Sequence, residues 1–288
     1  MSGSYGYASQ LGIDSTNPIT KRFDFQSESL VCDENFADLN GMRGTRSRDI
    51  SRVRQGNRRV HGPLHFFPTT QELAYLLPWC FGAAASGTTY ALADSLPTRF
   101  VNVDRVNNRF TYNGCVVDKV TFHGSEGNGL AVNIDVIGID ETPSATAFPT
   151  IALDTTTPPL MFTDLVLVFN SITYNCKEFT LEVNNDIDKD RFFNSQTLTS
   201  GFPRDRHVTI THPLPYGDAS ASYNPGVAGV AVTCTFTAGA HILTFSLANV
   251  AYPRKSPSVA GRQEILLPMV GQALKGSGTL ELVTTLVI

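Results

Sequence analysis

The stretch Phe110–Gly138, FTYNGCVVDKVTFHGSEGNGLAVNIDVIG, sets the fold class. Its aromatic and aliphatic residues fall largely on alternating positions, the period of a strand with one buried face. Asn113-Gly114 lies inside it. Asn-Gly is the strongest two-residue hairpin signal, because both central residues of that turn take positive φ. A meander is therefore expected: Phe100–Val106, a turn at Asn107-Asn108, Arg109–Tyr112, a turn at Asn113-Gly114, Cys115–His123, a loop over Gly124–Gly129, and Leu130–Ile139. An echo begins 133 residues later and runs without a gap from Leu243 to Gly271, LTFSLANVAYPRKSPSVAGRQEILLPMVG. Phe110, Tyr112, Val117, Ile134, Val136 and Ile137 face Leu243, Phe245, Val250, Leu267, Met269 and Val270. Identities are few, so the repeat is one of apolar pattern, and it implies two similar β units in tandem.

Outward from this stretch, residues 1–22 read as an N-terminal arm rich in Ser, Gly, Tyr and Asn, with a turn at Asn17-Pro18. Unit 1 spans 23–140 and opens with a strand over Phe23–Val31. An Arg-rich loop or exposed hairpin follows over 32–62. A helix is expected over 70–81: Thr69 and Glu72 have capping-box spacing, and Leu73, Leu76 and Leu77 share one face. Trp79 ends that face, and Pro78 and Gly82 stop the helix. Asp140–Pro159 is rich in Thr, Pro and Ala, so 141–160 reads as a linker. Unit 2 spans 161–288, with strands over Leu165–Phe169, Glu178–Val183, His207–Thr211, Val230–Phe236, Ile242–Leu247, Glu264–Val270 and Leu280–Val287. His212–Gly229 holds the place of the first unit's helix with weak helix formers. The expected fold is thus mainly β: two tandem sandwich-like or barrel-like units, each with at most one short flanking helix.

The 288 residues are 42 % hydrophobic and 17 % charged, enough for a large core and no broad disorder. A net charge of −4 excludes a surface that grips nucleic acid all over. Cys32, Cys80, Cys115, Cys176 and Cys234 are far apart, form no CxxC pair, and read as small buried hydrophobes. No secretory signal and no apolar run of membrane-spanning length is visible, so folding in a reducing cytosol is expected. No GxSxG, HExxH, P-loop or GxGxxG occurs, so neither an enzyme nor a cofactor is expected. His61 and His65 flank Gly62-Pro63, which forbids a helix placing both on one face. Asp186, Asp188 and Asp190 alternate as in a calcium loop, but Arg191 stands where that loop needs Gly and Thr197 where it needs Glu.

The concentrated polar feature is a run of seven arginines, Arg43, Arg46, Arg48, Arg52, Arg54, Arg58 and Arg59. No aromatic residue lies between Phe36 and Phe66 to stack single-stranded bases. On a net-acidic protein, the simplest use of such a run is docking against acidic surfaces of neighbouring copies, through bidentate Arg–carboxylate pairs.

Several blocks in this order resemble the major tail tube protein of long-tailed bacteriophages with non-contractile tails. They are FDFQSESL, MRGTRSRDISRVRQGNRRVHGPLHF, PTTQELAYLLPW, the Phe110–Gly138 stretch, FTLEVNNDIDKDRFFNS and GRQEILLPM. The resemblance covers most of the chain and carries no catalytic signature. It implies a sandwich or barrel-like domain with one flanking helix. Such domains form rings whose inner strands join around a lumen, and long loops and terminal arms lock stacked rings together. It also implies a tube that surrounds a tape measure protein, meets tail tip and terminator proteins, and conducts double-stranded DNA. The place implied is the virion tail, after synthesis in the host bacterial cytoplasm. The inner tubes of contractile tails and of the type VI secretion apparatus share this domain, usually six to a ring. Two units per chain would make a ring of three chains with approximate sixfold symmetry; six chains is the alternative.

Another virion assembly protein, such as a tail terminator or capsid-decorating protein, is a second possibility, and a β-sandwich module for carbohydrate or host surfaces a third. For a tube, the lumen is expected to be lined by Ser, Thr, Asn, Asp and Glu, neutral to negative. Residues 1–150 carry 13 basic and 15 acidic side chains and residues 151–288 carry 9 and 11, so neither half is a basic clamp.

Overall fold

Arg109–Ser125 forms one strand of 17 residues, and Asn113-Gly114 lies inside it instead of turning a hairpin. Between Arg99 and Val101 on the neighbouring strand there are two steps; between Cys115 and Tyr112 there are three. The extra residue is a bulge, and Gly114 takes the left-handed φ of +59° that it needs. Asn-Gly satisfies the positive φ of either a turn or a bulge. Here both flanks find longer partners elsewhere, so the chain stays extended. Gly138 lies against the bulge with no room for a side chain: a Cβ there would sit 3.0 Å from both Cys115 Sγ and Val60 Cβ.

The computed structural model describes residues 5–219, 229–259 and 261–288. The strands of the first half are β1 (Gln10–Asp14), β2 (Arg22–Phe23), β3 (Ser27–Glu28), β4 (Val31–Asp38), β5 (Val53–Phe66), β6 (Thr89–Ala91), β7 (Arg99–Asp104), β8 (Arg109–Ser125), β9 (Ala131–Gly138) and β10 (Asp140–Ser144). Those of the second half are β11 (Leu165–Phe169), β12 (Ile172–Tyr174), β13 (Glu178–Asn184), β14 (His207–Thr211), β15 (Leu214–Pro215), β16 (Val230–Ala238), β17 (His241–Ala251), β18 (Leu266–Leu267), β19 (Val270–Ala273) and β20 (Val283–Val287). Helix α1 covers Thr70–Phe81 and the short α2 covers Tyr216–Ala219.

Upstream of its bulge β8 pairs with β7 and β10; downstream it pairs with β9 and β13. It therefore passes from a small sheet, β2-β1-β7-β8-β10, into the main one. The main sheet runs β4-β5-β9-β8-β13-β14-β19, and β19 also pairs with β17. From β17 the network turns back as β12-β11-β16-β17-β20-β6. Every ladder among these strands is antiparallel. The two layers meet through aromatic rings: Phe122 of β8 lies 4.8 Å from Phe245 of β17, and Phe179 of β13 lies 6.0 Å from Phe236 of β16. Alternation puts these rings inside. On β13, Phe179, Leu181 and Val183 are buried while Thr180 and Glu182 face outward.

Helix α1 closes the core. Its capping box is formed: Glu72 N donates to Thr69 Oγ1, and Thr69 N donates to Glu72 Oε2 at 2.9 Å. Leu73, Leu76, Leu77 and Trp79 are fully buried, and Trp79 Nε1 donates to the Cys115 carbonyl at 3.1 Å. Pro78 does not stop the helix but lies in its last turn, where its missing N–H leaves only the Ala74 carbonyl without an i→i−4 donor. Gly82, at φ +96°, ends it.

Other expectations change. The strand over Phe23–Val31 breaks into β2, β3 and the start of β4, because β2 pairs with β1 whereas β3 and β4 pair with β5. The 141–160 stretch opens with strand β10, and Pro143 is tolerated there because β10 is an edge. Glu264–Val270 is strand only at Leu266–Leu267 and from Val270 onward. The expected helix remnant over His212–Gly229 contains α2, and its residues 220–228 lie outside those described. Pairing also crosses between the halves, at β8–β13 and β6–β20. In the echo, Val117 pairs with Val136, but Val250 pairs with Ala273, four residues beyond the corresponding Met269.

Candidate assembly surfaces

The arginine run sits on the β4–β5 hairpin. Val31–Asp38 and Val53–Arg59 pair with one another here, apart from an isolated bridge between Arg58 and Thr197, and nearly every side chain on both faces is exposed or half-buried. The 39–52 tip is organised by three polar side chains. Asn40 Nδ2 donates to Asp38 Oδ1 at 2.7 Å, Asp49 N donates to Asn40 Oδ1, and Ser51 N donates to Asp49 Oδ1, both at 3.0 Å. These donors hold both carboxyls below the ordinary range: for Asp38 the Asn40 amide dominates, and for Asp49 the Ser51 amide.

The seven arginines divide by role. Arg43 pairs with Asp49 at 3.0 Å and Arg48 with Asp38, so both brace the tip. Arg58 reaches Asp140 at 3.0 Å, and Arg59 donates to the Lys189 carbonyl at 2.9 Å and meets Asp190 at 3.4 Å. These two anchor the hairpin base to the body, helped by Arg58 N, which donates to the Gln196 carbonyl at 2.7 Å. Arg46, Arg52 and Arg54 are exposed and have no ion-pair partner among the described residues. Large apolar side chains share the same hairpin. Phe36, Leu39, Met42 and Ile50 are exposed, Phe36 at 72 % and Ile50 at 83 %. The signal was present: large apolar residues in a segment too polar to bury either face.

A second surface is the outward face of β9-β8-β13-β14. Asn133 and Asp135, Lys119 and Thr121, Thr180 and Glu182, and Thr209 and Thr211 stand side by side there, all half-buried. Lys119 lies 3.4 Å from Asp135 and 3.8 Å from Glu182, so one cation is shared by two carboxylates. His65 bonds Asn133 at 2.6 Å and His123 bonds Thr180 at 2.9 Å.

Chemistry elsewhere goes into holding the fold. His61 meets Asp33 at 2.7 Å while His65 faces Asn133, so the two histidines diverge. Asp186 pairs with Arg204, Asp188 accepts the Asp190 amide, and Asp190 turns toward Arg59. Among the described residues no group of three or more His, Cys, Asp or Glu side chains is arranged to hold a metal. The five cysteines are free, and burial pushes their thiols up, Cys176 to about 11.

Exposed charged and apolar side chains on the hairpin, beside a polar sheet face, are features suited to contacts between copies. Residues 33–273 match the family model described as phage tail tube protein. The match begins in β4 and ends at the last residue of β19, so it contains both surfaces. The chain belongs to the phage tail tube protein family. It is therefore a structural component of the virion tail, from a family that is not one of enzymes. No curated protein sequence matches the chain. No helix among the described residues is long and apolar enough to cross a membrane.

Proposed function

We propose that this chain is the repeating subunit of the tube of a long, non-contractile tail, forming stacked rings whose bore encloses the tape measure protein and later conducts double-stranded DNA. The supporting observation is the outward face of β9-β8-β13-β14, which we assign to the bore. It is built mainly of Thr, Asn, Asp and Glu, with His123 beside Thr180 and Lys119 outnumbered by Asp135 and Glu182. DNA that must slide cannot be held. Several free cations on that wall would release counterions and grip the phosphates. The seven arginines lie on a hairpin apart from this face, and four of them are already paired within the chain.

Closure of the bore occurs between copies, which removes the unpaired sheet edges each copy exposes alone. The sequence echo supports two units per chain and three chains per ring. The pairing of β8 with β13 and β6 with β20, which merges both halves into one pair of layers, supports one unit per chain and six chains per ring. We follow the hydrogen bonding, since it joins the halves directly. The hairpin tip, with Arg46, Arg52 and Arg54 uncommitted, contacts another copy. Tail tip and terminator proteins cap the two tube ends. Negative-stain microscopy of the purified protein tests this reading: hollow rods are expected, whereas dispersed particles at every concentration and salt tried would defeat it.

A further inference from the structure

The two ends of the main sheet differ in charge, and strand register fixes which residues lie at each. The hairpin leaves the sheet at Val60, which pairs with Gly138, beside the Val116 end of β8. The opposite end is the β8–β9 turn, Ser125–Gly129, where Ser125 pairs with Glu178 of β13. The six steps from Lys119 to Ser125 alone separate the ends by roughly 20 Å at about 3.3 Å per residue. At this far rim Glu126 and Glu178 are exposed, and neither forms an ion pair among the described residues. The nearby Lys177 is taken by Glu264. Two exposed apolar side chains flank the same turn. Met161 bridges Gly129, and Phe67 lies where a Cβ on Gly129 would be 3.3 Å from its ring.

One end of the molecule thus presents free guanidinium groups among exposed aliphatic side chains, and the other presents free carboxylates beside an exposed aromatic ring and a thioether. We infer that the hairpin tip of one copy docks on the Ser125–Gly129 rim of the next copy along the tube axis. Arg46, Arg52 and Arg54 meet Glu126 and Glu178, and Met42 and Ile50 cover Phe67 and Met161. Such a head-to-tail contact is heterologous, and repetition along one axis propagates it without closing. The inference rests on the tube reading and adds the acceptor surface for the hairpin.

Charge reversal in three chains tests it. One carries Arg46→Glu, Arg52→Glu and Arg54→Glu; one carries Glu126→Arg and Glu178→Arg; the third carries all five. Sedimentable polymer should fall at least tenfold in each of the first two and return in the third, where the contact is rebuilt with its charges exchanged. Thermal unfolding of the unassembled proteins checks that each variant is folded. A photo-crosslinking side chain placed at Ile50 in the otherwise unaltered protein gives a readout independent of those variants, and its product should map to the Phe67, Glu126 and Met161 region of a second copy. Wild-type protein that never forms rods would defeat the tube reading itself. Rods from either single-sided reversal, no return of polymer in the five-fold variant, or a crosslink to the exposed Asp205 at the hairpin's own end would overturn the docking inference while leaving that reading in place.

Discussion

His212 shows what one buried residue contributes. It is fully buried, its Nε2 is 2.6 Å from Tyr252 Oη, and burial pulls its pKa from 6.5 down to about 4. The folded protein therefore keeps the ring neutral where the unfolded chain would protonate it. The stability it contributes is complete above pH about 6.5 and is lost as the pH falls toward about 4, a loss on the order of 3 kcal/mol. Urea midpoints at pH 7.5 and 4.5 should reveal that slope, and His212→Gln should flatten it; an equal slope in the variant would assign it to other groups. Trp79→Phe should destabilise by about 1–3 kcal/mol, because the Cys115 carbonyl is left buried without its donor; urea unfolding would measure it. Trp79 was legible as the end of an apolar helix face. His212 was not, because nothing near it in the chain shows that Phe169 and Tyr252 close over it.

Elements whose signals are local were legible, and those decided by distant partners were not. Thr69 and Glu72 satisfy each other's backbone within four residues, so the start of α1 could be placed from spacing alone. Thr69→Ala should lower stability by about 1 kcal/mol, read from the unfolding midpoint. Asn113-Gly114 gave the wrong element because its conformation suits a turn and a bulge equally, and β7, β9, β10 and β13 made the choice. The hairpin was legible as exposed and basic. Its division into bracing, anchoring and free arginines was not, since Asp140 and Asp190 lie far along the chain from Arg58 and Arg59. Reversing Arg48 would also break its pair with Asp38, whereas Arg52 and Arg54 are unencumbered. Arg52→Ala with Arg54→Ala should change monomer stability by no more than about 0.5 kcal/mol while reducing assembly. A large drop in the unfolding midpoint would give these residues a fold-stabilising role instead.

At the scale of the molecule, a sheet with one apolar and one polar face is packed against a second layer and left with open edges. An isolated copy cannot cover those edges, and a ring can. Alternation made the polar face partly legible, since every second residue of β8, β9, β13 and β14 had to point away from the core. Which of those faces looks into a bore could not be read from the chain, because no single strand encloses anything. Reconstruction of the assembled protein by electron cryomicroscopy tests this most directly. A hollow tube of stacked rings with six chains each is expected, with a bore wall carrying Lys119, Thr121, Asn133, Asp135, Thr180 and Glu182. Solid fibres, or a tube with that face on its outside and unpaired arginines lining the bore, would contradict it.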